Sequence, residues 1–422
     1  MHNGGMTSNT SRSPIAPALL ALLLTLLLAG CAEPPIPLKF AEPEPLTLPS
    51  GPAGEGPRLS LGLDGQLALS WMERGEQGGT LRYTSFQDDE WQAAADVVTD
   101  PDMFVNWADV PSVVPLSDDD LLAHWLSKSA ASTYAYDVKV SHSTDGGATW
   151  SEPALPHDDG TPTEHGFVSI NETGKDTHLI WLDGRKSANE ATERSIDTSM
   201  TLRAASLDID GSVSEEQLID NFVCDCCRTD LANASTGRIA VYRDRTDQEI
   251  RDIYVARRID GMWQSGVPLS NDGWEIAGCP VNGPAIAAQG DLVAVAWFTA
   301  ADDEPRVHAR ISTDSGASFG ERILISGLSP KGQVDIEILD ETAVAVSWIE
   351  KGSRALVKES DVKLVPIAID GTLGEELIVG NTNYMRSVPQ MTRVGNSLVF
   401  VWTNAYDGVT SLVSVRMPFE TS

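Results

Sequence analysis

Four of the five cysteines of the chain lie in two neighbouring segments that could do metal or redox chemistry. Three of them form the run Cys224-Asp225-Cys226-Cys227, and the fourth is Cys279. In an oxidising compartment an even number of cysteines predicts disulfides, here two. Deprotonated thiols also bind soft metal ions such as copper or zinc, although C-x-C-C is not a standard zinc spacing. A redox-active pair is the third interpretation, and the sequence alone leaves all three open.

The elements that position these cysteines follow from a repeat along the chain. An alternating apolar run ends in an aromatic residue seven times, at intervals of about 51 to 61 residues. The aromatic residues are Trp71, Trp125, Trp181, Tyr242, Trp297, Trp348 and Trp402. The surrounding pattern of four short strands per unit, with hardly any helical periodicity, predicts the blades of an all-β propeller. We interpret each aromatic ring as a wedge between neighbouring blades.

Seven repeats predict seven four-stranded blades. The last repeat ends after its third strand, at residues 411–417, and only five residues follow. We therefore expect a strand from the N-terminal segment, near residues 45–49, to supply the missing edge and close the ring. In such a propeller the links between blades share a face with the loops between strands two and three. The four cysteines lie in the links to blades four and five, so we expect them to meet near the axis on that face.

Two turns after predicted third strands have the pattern S-x-D-x-G-x-[TS]-[WF]. The first contains Ser143, Asp145, Gly147 and Trp150, and the second contains Ser312, Asp314, Gly316 and Phe319. The carboxylate can accept hydrogen bonds from its own turn, and glycine permits left-handed backbone dihedrals. The pattern resembles the Asp-box of bacterial neuraminidase (BNR) repeats in the sialidase superfamily. The resemblance implies a sialidase-like propeller, with six blades as the alternative count, and Asp-boxes that lie away from the active site.

The same resemblance implies an exo-α-sialidase-like glycoside hydrolase as one activity. That chemistry uses three arginines around a carboxylate, a tyrosine nucleophile assisted by glutamate, and an aspartate acid/base. The candidates on the axial face are Arg185, Arg243 and Arg386, Tyr384, and the carboxylates Asp183 and Glu350. The Arg-Ile-Pro motif of the family is missing, so ion pairs between loops are the competing interpretation of the charged candidates.

The N-terminus predicts export. Arg12 is the only charged residue before an apolar run over residues 16–28, which is too short to span a bilayer. The following Leu-Ala-Gly-Cys looks like a bacterial lipobox. It implies a signal peptide over residues 1–30, lipid attached to Cys31, a Pro-rich tether over residues 31–55 and a propeller over residues 56–422. Ala32 favours sorting to the outer membrane of the cell envelope.

The charge of the chain limits its partners. Asp and Glu number 61 against 30 Lys and Arg, which gives a formal net charge of −31. Such a surface repels nucleic acids and anionic membranes, so we expect no nucleic-acid partner and membrane contact through the lipid anchor only. No phosphate-binding loop is present, and no cofactor is expected apart from a metal at the cysteine cluster.

These observations together predict a lipid-anchored binding or scaffold module at the bacterial cell envelope. Its ligand is expected to be a glycan, or an envelope or extracellular protein, held over the axial face. A glycoside hydrolase of the sialidase type is the first alternative. A metal-handling or redox lipoprotein that uses the cysteine cluster is the second.

Overall fold

Seven antiparallel sheets make up the described part of the chain in the computed structural model, which is residues 38–51, 53–62, 64–173, 176–188, 198–208, 212–352 and 359–420. Within each sheet, the three long strands that follow one another along the chain are hydrogen-bonded neighbours. This is the strand order of propeller blades. The seven-bladed β-propeller predicted from the sequence is confirmed, and the six-bladed alternative is wrong.

The strands of the first half follow in chain order. The first two, which complete the last blade, are β1 (Lys39–Phe40) and β2 (Glu44–Leu46). Blade 1 contains β3 (Gly54–Leu61), β4 (Leu67–Arg74), β5 (Gly79–Gln87), β6 (Glu90–Trp91) and β7 (Ala95–Asp100). Blade 2 contains β8 (Ser112–Pro115), β9 (Leu121–Lys128) and β10 (Tyr136–Ser143), with Ala154 bridged to Val140 at its outer edge. Blade 3 contains β11 (His165–Thr173), β12 (Asp176–Asp183), β13 (Thr201–Leu207) and β14 (Val213–Asp220).

The second half repeats the plan. Blade 4 contains β15 (Asp230–Ala234), β16 (Gly237–Arg243), β17 (Ile253–Ile259), β18 (Met262–Trp263) and β19 (Val267–Pro268). Blade 5 contains β20 (Ala285–Gln289), β21 (Leu292–Thr299), β22 (Arg306–Ser312) and β23 (Ile323–Ser326). Blade 6 contains β24 (Pro330–Asp340), β25 (Ala343–Lys351), β26 (Ser360–Ala368) and β27 (Leu377–Thr382). Blade 7 contains β28 (Gln390–Val394), β29 (Ser397–Tyr406) and β30 (Val409–Glu420), and two short 3-10 helices lie at Arg185–Ala188 and Ala301–Asp303.

The N-terminal strands close the ring, as predicted. Strand β2 pairs antiparallel with β30, so that Leu46 lies opposite Ser414, and β1 pairs with the end of the same strand. Residues 39–40 and 44–46, which the sequence analysis assigned to the tether over residues 31–55, are paired strand residues of blade 7. The predicted signal peptide and Cys31 lie outside the described residues. Among the residues that the structure describes, no helix is long and apolar enough to cross a membrane.

The repeated aromatic residues are the largest side chains of the interior. Six of the seven are tryptophans, and each of the seven rings exposes 2% of its surface or less: Trp71, Trp125, Trp181, Tyr242, Trp297, Trp348 and Trp402. They pack with aliphatic residues of adjacent blades, as Trp297 does with Val241 and Val255 of blade 4. The wedge interpretation is confirmed.

Each wedge ring also donates a hydrogen bond. In three blades the acceptor is the acidic residue two positions further along the strand, in the pairs Trp71–Glu73 at 3.1 Å, Trp181–Asp183 at 2.9 Å and Trp348–Glu350 at 2.8 Å. In the other four the acceptor belongs to the end of the preceding blade, in the pairs Trp125–Asp100, Tyr242–Asp220, Trp297–Asp272 and, through a backbone carbonyl, Trp402–Asn381. The buried donors are thus satisfied, and four of the bonds join adjacent blades directly.

Both Asp-boxes form the expected turn after the third strand of their blades, on the face opposite the interblade links. Asp314 accepts hydrogen bonds from the backbone amide of Ser318 at 2.9 Å and from the hydroxyls of Ser312 and Ser318. Asp145 is bonded in the same way by Ser143 and Thr149. These bonds lower the pKa of Asp314 to about 2, with the Ser318 hydroxyl as the largest cause. The turns are folding devices, as the sequence predicts.

The first prediction concerns the wedge. Trp348→Phe keeps a ring but removes the donor to Glu350 and part of the buried surface. We expect the free energy of unfolding to fall by about 2–4 kcal/mol. Urea denaturation measures it, and Met385→Ala, at a side chain that is 90% exposed, should change stability by less than about 0.5 kcal/mol. Equal effects of the two variants would contradict the wedge role.

The second prediction concerns the Asp-box of blade 5. Because the pKa of Asp314 is lowered on folding, its ionised form stabilises the fold above the ordinary carboxyl pKa, and this stabilisation is lost as the pH falls towards about 2. We expect Asp314→Asn to lower the urea midpoint at pH 6, and the gap from the wild type to close by pH 2. Glu321→Gln, which removes a charge from the same exposed loop, serves as the control. A pH-independent gap would contradict the carboxylate's role.

Candidate functional site

A cleft of about 590 Å³ lies on the face that carries the interblade links. Its walls come from blade 1, the link to blade 2 and the link to blade 7. The side chains that carry its chemistry are Glu55, Arg74, Trp107, Tyr384 and Arg386. Tyr134 and Met385, which are 62% and 90% exposed, lie at or beside its mouth. The cleft therefore combines aromatic surface with two guanidinium groups.

A β-bulge places Glu55 in this cleft. The register of β3 against β4 shifts between Glu55 and Arg58, and Gly56 between them has a φ of +63°. A Cβ atom on Gly56 would lie 2.8 Å from Met72 and 2.9 Å from Val110, so the close approach requires glycine. Glu55 is 7% exposed and accepts from the Arg74 side chain at 3.0 and 3.1 Å. The bulge thus creates a buried carboxylate that is neutralised by an exposed arginine.

Tyr384 and Arg386 form the opposite wall. Burial and the charge of Glu55 raise the pKa of Tyr384, whereas Arg386 and Arg74 act in the lowering direction, Arg386 in part through a hydrogen bond to the phenol. The phenol therefore remains protonated at neutral pH. Trp107 lies beside the same pair and also lines a narrow recess with Arg228. This wall offers hydrogen-bond donors beside two aromatic rings.

The structure does not assemble the six candidate catalytic residues predicted from the sequence into one pocket. Tyr384 and Arg386 are together in the cleft. Asp183 and Arg185 form a separate pair, 2.7 Å apart, in which the carboxylate is fully buried and also accepts from Trp181. Arg185 additionally contacts Asp159 and Glu216. Asp183 and Arg185 therefore form an ion pair, which was the alternative to a catalytic role in the sequence analysis.

Arg243 and Glu350 lie in two further environments. The Arg243 guanidinium donates to the backbone carbonyls of Asn282, Arg251 and Phe298 and stacks over Trp274. Glu350 accepts from Trp348, from Ser326 of the neighbouring blade and from the amide of Ser329. Three arginines around a single carboxylate-binding pocket are therefore absent from the predicted set, because Arg185, Arg243 and Arg386 have different partners.

Sequence reasoning missed the pairing of Glu55 with Arg74. Both residues lie at strand ends on the face that carries the interblade links, and this position is the feature of the sequence that could have indicated the pairing. Apart from Gly56, no residue in the sequence indicates the bulge that turns Glu55 inward.

The central channel is a second cavity, of about 650 Å³, lined by the first strands of the blades. Side chains of both charges line this channel. Arg58 lies 3.8 Å from Asp230, and Arg228 is nearby. Burial raises the pKa of Asp335 to about 6 and that of Glu337 to about 8. Glu337 is thus mostly protonated at neutral pH, which reduces the charge available to bind an ionic ligand.

The four cysteines meet on the same face as the cleft, as expected. The Cys224 sulfur lies 3.5 Å from that of Cys227 and 3.9 Å from that of Cys226, and Cys279 contacts Cys226. None of the four is bonded to another sulfur, so the structure does not show the two predicted disulfides. Burial raises the pKa of Cys224, but hydrogen bonds with Cys226 and Cys227 and the charges of Arg251 and Arg243 outweigh it, and the net shift is downward.

No protein-family model and no curated protein matches the chain. A mutant of the NanB sialidase from Streptococcus pneumoniae is similar in structure, with a TM-score of 0.46 and 11% identity over 89% of this chain and 70% of that one. A protein of unknown function from Dyadobacter fermentans has a TM-score of 0.48 and 13% identity, over 91% and 99%. An α-L-arabinanase from Penicillium chrysogenum, complexed with arabinobiose, has a TM-score of 0.47 and 13% identity, over 90% and 97%. These similarities concern the fold alone.

The third prediction tests the role of Asp183. Asp183→Ala leaves Arg185 and the Trp181 indole without their buried partner. Removal of one partner of a buried pair destabilises strongly, and we expect a loss of about 3–5 kcal/mol in the free energy of unfolding. Denaturation in urea measures it. A variant as stable as the wild type would instead return Asp183 to the list of candidate catalytic groups.

Proposed function

We propose that the protein binds a glycan with an acidic group in the cleft between Glu55, Arg74, Trp107, Tyr384 and Arg386. One observation carries this proposal: the cleft brings two guanidinium groups and two aromatic side chains to one concave surface. Aromatic faces stack on the apolar faces of sugar rings, and guanidinium groups bind carboxylates through paired hydrogen bonds. The cleft offers both kinds of contact to one ligand.

The overall charge supports a local role for these arginines. A chain with a net charge of −31 repels anions over most of its surface. Arg74 exposes 57% of its side chain, and Arg386 is also exposed, so both guanidinium groups can reach a ligand. An acidic sugar would replace water at these two cations while its ring covers Trp107.

Binding without turnover is favoured by the state of the acidic residues. Glu55 is buried and already paired with Arg74. Asp183 and Glu350 hold wedge tryptophans and lie in other blades. The cleft therefore has a binding surface but no carboxylate free of a cationic partner among the five side chains named for it.

Hydrolysis of a bound glycoside is a second candidate, and a single observation favours it. The Glu55 carboxylate lies close enough to the Tyr384 phenol for its charge to raise the phenol's pKa. Phenol and carboxylate are the two groups that a tyrosine nucleophile and its assisting base require. Release of Glu55 from Arg74 by a substrate carboxylate would complete that arrangement.

We propose localisation at the cell envelope on the basis of the sequence alone. The apolar run and the Leu-Ala-Gly-Cys motif support a lipid on Cys31 and anchorage at the outer membrane. In the full chain, labelling with a radioactive fatty acid should depend on Cys31 and disappear in Cys31→Ser.

The fourth prediction tests the cleft by titration calorimetry against acidic and neutral oligosaccharides. Arg386→Ala should weaken binding of the acidic ligand about 10- to 100-fold, since a hydrogen bond to a charged group contributes about 1.5–3 kcal/mol. Trp107→Ala should weaken acidic and neutral ligands alike. Arg306→Ala, which removes an arginine paired with Glu304 in blade 5, is the matched control and should leave affinity unchanged.

Turnover is tested with fluorogenic sialosides and other glycosides. Saturable binding without release of the leaving group supports the binding module. Release that is abolished by Tyr384→Phe while affinity is retained would establish the hydrolase instead. Saturable binding of an envelope protein but of no glycan would contradict the proposed ligand class.

A further inference from the structure

We propose that Cys224, Cys226, Cys227 and Cys279 form a thiolate site for one soft d10 metal ion, Zn²⁺ or Cu⁺. The site lies outside the glycan cleft and does not depend on the function proposed for it. It is built from two interblade links, one leading to blade 4 and the other to blade 5.

The sulfur separations fit a shared metal. A tetrahedral ion with metal–sulfur bonds of about 2.3 Å holds its sulfur ligands about 3.8 Å apart. The Cys224 sulfur lies 3.5 Å from Cys227 and 3.9 Å from Cys226. The three sulfurs lie within 4.8 Å of one another, as do the ligand atoms of Asp225, Cys226 and Cys279. A disulfide requires about 2.0 Å, so the sulfurs of Cys224, Cys226 and Cys227 are spaced for a common ligand and not for bonding to one another. Cys279 contacts only Cys226 among them, and its exposed loop would bring it to the ion as the fourth ligand.

The backbone fixes one part of the site and leaves the other accessible. The amide of Cys224 donates to the Arg243 carbonyl at 3.0 Å, and its neighbour Val223 forms a β-bridge to Asp244. Cys224 and Cys227 are 1% and 2% exposed, whereas Cys279 lies on an exposed loop beside Cys226. Two sulfurs are thus buried, with the backbone at Cys224 fixed, and Cys279 lies where an ion would arrive from solvent.

A buried arginine donates a hydrogen bond to a sulfur of the site. The Arg251 guanidinium lies 3.3 Å from the Cys224 sulfur and 3.3 Å from the Asp225 carboxylate, and it is 1% exposed. Arg245, 3% exposed, lies 3.8 Å from Asp225, and both arginines are also paired with the Glu249 carboxylate. Four thiolates around Zn²⁺ or Cu⁺ carry net negative charge, and hydrogen bonds from outer cations to ligating sulfur stabilise it. A neutral thiol would offer Arg251 a far weaker acceptor.

The binding step balances without redox chemistry. Each ligating cysteine loses its thiol proton to solvent as a metal–sulfur bond forms, and the ion enters and leaves in one oxidation state. Formation of the two disulfides would instead remove two electrons for each bond and exclude the metal. The two interpretations therefore make opposite predictions for the thiol count of the isolated protein.

The fifth prediction uses the full chain with Cys31→Ser, in which these are the only four cysteines. Protein isolated without oxygen should contain four thiols and bind one equivalent of Zn²⁺, which should protect the thiols from Ellman's reagent. Co²⁺ should give the sulfur-to-metal charge-transfer and d–d bands of a tetrahedral thiolate site. Competition with a Zn²⁺ chelator and with bicinchoninate for Cu⁺ decides which ion is bound more tightly.

Two cysteine variants and one control separate loss of metal binding from loss of folding. Cys226→Ser removes the sulfur shared by both groups and should weaken metal binding more than about 100-fold, since loss of an outer-shell partner alone costs about 10- to 100-fold. Cys279→Ser, on the exposed loop, should fold normally and lose the four-sulfur Co²⁺ spectrum. Arg306→Ala, in the exposed ion pair with Glu304 of blade 5, should bind metal as the wild type does. Two disulfides in protein isolated from the cell envelope, or four reduced thiols that bind no metal, would overturn the proposal.

Discussion

The hydrogen bond from a buried ring at each wedge is the interaction on which the rest of the structure depends. An indole or phenol fills each wedge, and burial without an acceptor would cost each polar hydrogen a free energy of about 1–3 kcal/mol. Every wedge has an acceptor, and four of these acceptors come from the preceding blade. At these four wedges the contact that removes apolar surface from water also sets the position of one blade against the next, and at the other three the packing of the ring does so. The loops that form the cleft and the cysteine cluster extend from blades that these contacts position.

The fold could be predicted from the sequence because the wedge recurs at a nearly constant interval. Seven aromatic slots predicted seven blades, and the incomplete last repeat predicted closure by the N-terminal segment. The hydrogen bonds that Asp183 and Glu350 accept from wedge tryptophans could also have been predicted from the sequence, although they were not. In a strand, residues i and i+2 lie on one face, so the spacing Trp-x-Asp or Trp-x-Glu brings the carboxylate beside the indole. Glu73 has the same spacing from Trp71.

The site was less predictable for physical reasons. Tyr384 and Arg386 lie two residues apart in one link, so the sequence could identify them together. Glu55 joins them through a bulge and across the closure of the ring, since blade 7 is the neighbour of blade 1. No local pattern encodes a contact between residues more than 300 positions apart. The convergence of the cysteines was predictable because it requires only that consecutive links share one face.

One face of the propeller carries both candidate sites, and each is built from the links between blades. Such links are free to vary because the sheets beneath them supply the rigidity. The cleft presents cations to solvent, whereas the cysteine cluster surrounds its cations with protein. Exposed guanidinium groups suit a ligand that exchanges, and buried ones suit a permanent charge such as a metal–thiolate group. The two sites thus use arginine for different electrostatic purposes.

The ring closure has a consequence for how the chain matures. Strands β1 and β2 are the first described strands along the chain, and their partner β30 is the last. Until these strands have paired, blade 7 has no outer edge, and the protein is an open arc with unpaired strand edges. Such edges recruit other chains, so this interval is the period of greatest risk of aggregation. A truncated chain that stops before β30 would remain in that state and become a substrate for chaperones and proteases.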